Sequence, residues 1–511
     1  MARQRRSRKK NKRFISSLLL FGLLFLSSCA SLHFRTLPPP FETLQFASLN
    51  ELPYRELWAG VVFNGEKVGF TRFTIIPAGE NFRIQSEAHI RFRFLGMDHQ
   101  VTLKGDDWVR PDLTLTFFHY EQRVGQKSWI LSGEVSGSNL FAILSVSGTT
   151  QTIEAPLTGP LYPVSATNLV PVLKGLSPGA FYRYLVFDPQ IQTLIEVSQS
   201  VLAFEESPPL GLEPAFRIET EMANQKVQTW INRRGEAIFE LGMNGVLITH
   251  KEAEEEAKRF LSEGSFNKKD LVFDFSRVKT ERPLPCPRQA NLLLIGLEGI
   301  AGHLPILQGP GQDAQEKKEG ETSWVLYRIT RTKDSLSRWT EKGRLPESLQ
   351  PYLRPTFHLN SKHPAIQEQA RQIVAEAKTP LEKVERLTRW VAHEIQDEFE
   401  EQVSAVEVLQ TRRGECQAHT MLYAAMARAV DIPTRVVGGL VYAEETGFLY
   451  HAWAESYIDG WVSIDPTFNQ VGVDATHIKL VEGPDWPSLT PIGKVVGRVK
   501  AKILDYQASC P

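Results

Sequence analysis

Cys416, His451 and Asp465 follow one another in a single stretch, Arg412 to Phe468. A thiol, an imidazole and a carboxylate are the attacker, base and orienter of nucleophilic catalysis at a carbonyl. Gly414 permits a sharp turn just ahead of the cysteine. The residues after it, Gln417 to Val430, are rich in Ala, Met and Leu, so a helix is predicted to begin at or near Cys416. The start of a helix favours negative charge on the sulfur and leaves the backbone N–H groups of Cys416 and Gln417 free to hold an oxyanion. His451 and Asp465 fall at two predicted strands, Phe448 to Ile458 and Trp461 to Ile464, joined by the tight turn Asp459-Gly460. Antiparallel pairing of those strands brings imidazole and carboxylate together. The Asp then fixes the tautomer of the His, and the His takes the thiol proton.

Other readings of these residues stay open. A cysteine on an apolar helix is usually a small core residue; the ordered His and Asp downstream are what set this one apart. Cys416 and His419 stand at i and i+3, and with His451 and Asp465 they make four possible zinc ligands. Zinc sites commonly show two short ligand spacings, and only one is present, so no metal is assigned. His419 is expected to face helix packing or solvent. Trp453 and Trp461 are read most simply as core, with a secondary expectation that one of them walls a substrate cleft.

Gly414-Glu-Cys416, Ile432-Pro-Thr-Arg435, His451-Ala-Trp453 and Trp461-Val-Ser-Ile-Asp-Pro466 resemble the core motifs of the transglutaminase-like superfamily. The motifs span roughly Ser404 to Lys479. The resemblance implies a papain-like fold and an activity drawn from protein-crosslinking acyltransferases, thiol peptidases and amidases, with inactive relatives known. No cofactor is expected.

The elements that must hold this stretch are helices. Ile366, Ala370, Ile373, Val374 and Ala377 form one apolar stripe. Thr379-Pro380 restarts the helix with proline at its first position, and Val384, Leu387, Val391 and Ile395 give the next apolar face. Ser404-Ala-Val-Glu407 is a capping box opening the short helix that leads to Gly414. The tail, Lys494 to Tyr506, alternates as a strand and is expected to close the sheet behind His451 and Asp465.

Upstream the pattern is β. Trp58–Phe63 and Lys67–Ile76 flank Asn64-Gly65, a hairpin turn. Phe82 to Phe94 alternates, with Phe82, Ile84, Ala88, Ile90, Phe92 and Phe94 on one face and charged or polar residues on the other. Further strands follow near 99–109, 113–122, 127–135, 139–146, 181–187, 192–204, 214–222 and 226–232, which suggests one large curved sheet or half-barrel. Its apolar face is read as core packing. Glu252 to Leu261 reads as a short charged helix. Residues 265–282 are polar and without clear period. Residues 284–335 read as a small β module, with strands at Ala290–Leu297 and Trp324–Arg331 around a Gly- and charge-rich loop at 309–322.

The chain opens with eight Lys or Arg between residues 3 and 13, then thirteen mostly apolar residues, Phe14 to Leu26, then Leu26-Ser-Ser-Cys29. That is a secretory signal, too short to span a bilayer comfortably. Its ending resembles the bacterial lipobox. The resemblance implies that Cys29 is lipidated and becomes the mature N-terminus, and with Ala30 next it leans toward the periplasmic face of the outer membrane. The whole chain holds 58 basic and 59 acidic residues; removing the eight leader cations leaves 50 against 59, a net charge of −9. A mature surface of that sign argues against nucleic acid.

The expectation is therefore an α+β protein of the cell envelope. Residues 1–28 form a lipoprotein signal peptide and 29–56 a tether with the stiff spacer Pro38-Pro-Pro40. Residues 57–262 form an antiparallel β domain and 284–335 a bridging module. Residues 350–511 form a transglutaminase-like domain of helices packed on an antiparallel sheet. The partners expected are the membrane lipid at Cys29 and a protein or peptide substrate. A non-catalytic scaffold lipoprotein that kept the fold is the alternative. Of the four cysteines, Cys286 and Cys510 have no role in this scheme. An exported compartment permits a disulfide between them, but sequence does not place them within reach.

Overall fold

The computed structural model describes residues 34–510 except 41, 95–96, 126, 147–148, 224, 263–269, 321, 332–345, 399–403 and 444–446. The basic leader, Cys29 and the first tether residues lie outside them. The protein is rich in sheet, with fewer helices, and the three sheets among the described residues are almost wholly antiparallel. Among the described residues, no helix is long and apolar enough to cross a membrane.

The first sheet has sixteen strands. Eight of them run as a meander from Glu56–Phe63 to Thr149–Pro156, and a second meander runs from Phe181–Asp188 to Leu247–Lys251. Leu247–Lys251 joins the two by pairing with Glu56–Phe63. Of the alternating face, Phe82 and Ile84 are buried, in one core with Phe118, Phe187, Phe204 and Phe216 from both meanders, whereas Ala88, Ile90 and Phe92 are only half-buried. The helix Leu169–Lys174 buries Leu169, Val170, Pro171 and Val172 in the same core. A cavity of about 330 Å³ remains, lined in part by Leu57, Phe73, Ala88, Leu103, Leu169 and Glu240. The strands at 149–156, 237–242 and 247–251 go beyond the sequence reading. The polar stretch near 265–282 holds the short helix Leu271–Ser276, started by the Asp270 side chain accepting from the Phe273 N–H.

The second sheet corrects two expectations. Its order is Gln312–Glu319, Thr322–Thr330, Ala290–Glu298, Lys500–Ala508. Gln312–Glu319 was expected as loop because it is charged. It is an edge strand, mostly exposed, where charge is tolerated and discourages further pairing. Lys500–Ala508 is a strand as its alternation implies, but it pairs with Ala290–Glu298 and not with the strands of His451 and Asp465. Periodicity marks a strand without naming its partner.

The third sheet runs Gln470–Val471, Trp461–Asp465, Gly447–Tyr457, Thr434–Ala443, Ile478–Gly483. Against it pack the helices Pro364–Val374, Pro380–Glu394, Ala405–Thr411 and Cys416–Ala429. Thr379 caps the second helix by accepting from Glu382 N–H at 3.1 Å, and Ser404 caps the third by accepting from Glu407 N–H. The second sheet contributes Leu293, Ile295, Val325 and Tyr327 to the same core as Ile366, Leu387, Met421 and Val436. Gln312 ties the two sheets: its side chain accepts from Lys479 N–H and donates to Lys479 carbonyl oxygen. Cys286 and Cys510 are joined in a disulfide, with Cα atoms 5.6 Å apart.

Candidate active site

The helix Cys416–Ala429 begins at the cysteine itself, after Glu415 in extended conformation. Gly414 has φ of 144°, a region L side chains rarely adopt, and so makes the turn that aims the helix. Every residue from Ala418 to Arg428 is buried, so the helix is central to the core rather than laid on its surface. Cys416 itself is partly exposed and is a free thiol. As first and second residues of the helix, Cys416 and Gln417 carry N–H groups without an intrahelical acceptor.

The strands Gly447–Tyr457 and Trp461–Asp465 pair with Ala454 opposite Ile464. One step further puts Asp465 opposite Trp453, with His451 diagonally beyond on the same face. His451 Nε2 lies 2.8 Å from Asp465 Oδ2. The other ring nitrogen is left for the thiol, and Cys416 lies within hydrogen-bonding reach of the ring. Gly439 stands opposite His451 on the neighbouring strand. A Cβ there would collide with the Ile478 carbonyl oxygen and the Trp453 ring, so glycine is what lets the strands approach here.

Asp465 is completely buried. Its Oδ1 accepts from the backbone N–H groups of Thr467 and Phe468, at 2.8 and 3.1 Å. Its Oδ2 accepts from two imidazoles, His451 and His477, the latter at 2.9 Å. Burial opposes ionisation of Asp465, but the attraction and hydrogen bonds of the two histidines outweigh it and hold the group well below the usual carboxylate range. Burial likewise opposes a charged His451, yet the charges of Asp465 and Cys416 and hydrogen bonds to both raise its pKa above the ordinary value. Burial and, second, the charge of Asp397 push Glu415 up to about 7.

His477 did not emerge from the sequence. It precedes the strand Ile478–Gly483 and is contributed by a turn, not a motif. The signal that could have found it is Asp474-Ala-Thr-His477, in which Asp474 Oδ1 accepts from the Thr476 N–H at 2.9 Å and orders the turn. The ligand atoms of His451, Asp465 and His477 lie within 4.8 Å of one another, close enough for a metal. Two short N–H···O bonds to one carboxylate oxygen account for that spacing. The four-ligand set with Cys416 and His419 is not assembled: His419 is buried in the helix packing, its Nδ1 3.0 Å from the Glu415 carbonyl oxygen.

Trp453 and Trp461, read first as core, are packed among neighbours in the structure. Trp453 is 1% exposed and stacks behind His451, ring centres 6.2 Å apart. Trp461 packs edge-on to Tyr352 and beneath the Arg435 guanidinium, 4.1 Å from its ring centre. Trp129 and Trp486 line an opening beside this helix. They border a cavity of about 140 Å³ shared by Gln417 and Met421 with Leu144 of the first sheet and Gln190 of a turn between two of its strands. On the solvent side, Phe468 stacks on His451 at 5.2 Å and is itself 39% exposed.

Residues 367–466, which hold the helices, Cys416, His451 and Asp465, match the transglutaminase-like superfamily. The chain carries a transglutaminase-like domain. An uncharacterized protein of Mycobacterium leprae is 28% identical over 109 residues, 20% of this chain and 39% of that protein. A solved structure described as a candidate cysteine protease from Cytophaga hutchinsonii is 18% identical and covers 43% of this chain and 90% of its own, with a TM-score of 0.30. A β-barrel-like protein from Brucella abortus is 9% identical, covering 39% of this chain and 94% of its own at the same TM-score. At such scores neither solved structure bears on the fold or the reaction of the transglutaminase-like domain.

Proposed function

We propose that the transglutaminase-like domain is a thiol enzyme acting on amide or peptide carbonyls, with Cys416, His451 and Asp465 as its triad in a papain-like arrangement. One observation carries this reading. A partly exposed cysteine at a helix N-terminus lies in reach of an imidazole whose other nitrogen is held by a fully buried carboxylate. Buried Asp465 stabilises the His451 imidazolium, and the imidazolium stabilises the thiolate. The Cys416 sulfur attacks the carbonyl carbon, and the oxyanion that forms is met by the N–H groups of Cys416 and Gln417. His451 gives its proton to the departing amine, leaving a thioester. Water or a second amine then attacks the thioester while His451 takes up its proton, and the thiolate leaves. Water gives a peptidase or amidase, and an amine gives an acyltransferase.

The alternative is a scaffold that kept the fold without the reaction. Two features favour chemistry: the partial exposure of Cys416 and the placing of a buried carboxylate behind His451, which packing alone does not require. The test is labelling of the protein with a thiol-reactive acyl probe. Wild type should be acylated at Cys416 and slowly released; Cys416→Ala should not be labelled, and His451→Ala should be labelled far more slowly. Equal labelling of wild type and His451→Ala would leave the scaffold reading.

We further propose that the chain divides as its composition suggests, into signal, tether, β domain, bridging module and transglutaminase-like domain, and is held at the envelope by lipid on Cys29. The Cys286–Cys510 disulfide supports export, since such bonds persist in oxidising compartments.

A further inference from the structure

The hydrogen bonds behind His451 do not stop at Asp465. His477 Nε2 meets the same Oδ2 as His451, and the two rings lie 5.9 Å apart at 67°. The His477 Nδ1 faces Asp474, 3.2 Å from its carbonyl oxygen and 3.4 Å from Oδ1. Asp474 Oδ2 takes Arg288 at 2.8 Å and the Gln470 amide at 3.0 Å. The Arg288 guanidinium lies 4.2 Å from the centre of the Phe468 ring, which in turn stacks on His451. Arg288 therefore touches both ends of the arrangement. All of it except Arg288 and Phe468 is buried.

We propose, resting on the reading of Cys416 and His451 given above, that His477 is a positioning residue: it holds Asp465 from behind and sets how much of that carboxylate's charge reaches His451. Two imidazole donors on one oxygen fix the carboxylate in the plane that His451 needs. A neutral His477 leaves the full Asp465 charge to the His451 imidazolium. A protonated His477 places a second cation beside Asp465 and offsets part of it. The groups facing His477 favour protonation. Asp465 and Asp474 bracket it, and Arg288 is screened behind Asp474. Lys479, lining the same small space, is paired with Glu455 at 3.1 Å. Burial works against the His477 cation, but Asp474 and the hydrogen bonds to both carboxylates raise its pKa from 6.5. His477 thus restrains His451, and keeps the Cys416 pair within reach of proton transfer rather than frozen as an ion pair.

The test is the rate of Cys416 alkylation by iodoacetamide against pH in the full-length protein, with Cys416→Ala as the blank. His477→Gln keeps one N–H for Asp465 but cannot be protonated. It should move the alkaline limb of the profile, where His451 loses its proton, upward by about one pH unit. His477→Ala removes the donor as well and should slow alkylation at neutral pH roughly ten-fold or more, because Asp465 is no longer held in plane. If His477 is packing alone, both variants lower the melting temperature and leave the profile where it was, and that overturns the proposal. Should His477→Ala not fold, the limb position in His477→Gln still decides. Alkylation needs no substrate. A shifted profile in a protein that turns nothing over would keep the positioning role and remove the enzymatic reading, whereas turnover with an unshifted profile would do the reverse.

Discussion

Asp465 does two jobs with its two oxygens. Oδ1 closes the turn after Pro466 through two backbone N–H groups, and Oδ2 receives the imidazoles. Asp465→Asn keeps an oxygen for the turn and presents an amide NH₂ to groups that themselves donate. Triad chemistry should fall by about 10⁴-fold, as expected when the imidazole is left in the wrong tautomer. Stability should fall by roughly 1–3 kcal/mol for the unsatisfied donors. Acyl-probe turnover and melting temperature on one preparation check both. If turnover persists, Asp465 has no part in the mechanism. The pH dependence follows in sign. A carboxylate held below 3.8 stabilises the fold above that pH and ceases to do so as pH falls through its lower native value. His451, raised above 6.5, stabilises below that pH and loses the effect as pH rises through its native value. The contribution of this pair should be largest between about pH 4 and 6.5 and absent from Asp465→Asn, as thermal melts across pH would show.

The helix that starts at Cys416 carries its own titration. Glu415 precedes it with a pKa pushed from 4.5 up to about 7, with burial as the main cause. A carboxyl raised in the native state stabilises below its unfolded value and loses that as pH rises through the native one. Glu415→Gln should therefore match wild type at pH 4 and exceed it at pH 8. The difference should be on the order of 1 kcal/mol after allowance for partial exposure. A flat difference between pH 4 and pH 8 would place the ionisation of Glu415 elsewhere. At this scale most of the structure was legible in the sequence. The Cys416 helix, its capped predecessors and the strands of His451 and Asp465 are set by local periodicity, caps and turn residues, and each appears where those signals put it. What escaped were pairings between distant segments. Lys500–Ala508 alternates like any strand, and only burial against Ala290–Glu298 decides its neighbour. Gln312–Glu319 hid because edge strands are built from loop-like residues. His477 hid because a turn delivers it, and Trp129 and Trp486 because their meeting depends on how separate elements pack.

Across the whole molecule, the transglutaminase-like domain meets the first sheet beside the start of the Cys416 helix, where Trp129 and Gln190 face Gln417 and Trp486. If lipid on Cys29 holds this assembly at a membrane, Cys29→Ser should carry no labelled fatty acid and should move to the soluble fraction. Label retained by the variant would refute the lipobox reading, whatever becomes of the thiol chemistry.

The Cys286–Cys510 bond lies two residues from Arg288, and Lys500–Ala508 completes the sheet that carries Ala290–Glu298. Arg288 in turn anchors Asp474, the last support behind His477 and Asp465. The consequence is one of timing. Cys416, His451 and Asp465 are all synthesised before the strand and the cysteine that finish their backing. A chain ending before residue 500 lacks that strand, and one kept among reducing thiols lacks the Cys286–Cys510 bond. In order of synthesis, the surroundings of Arg288 and Asp474 are therefore finished last, by the strand at 500–508 and the cysteine at 510.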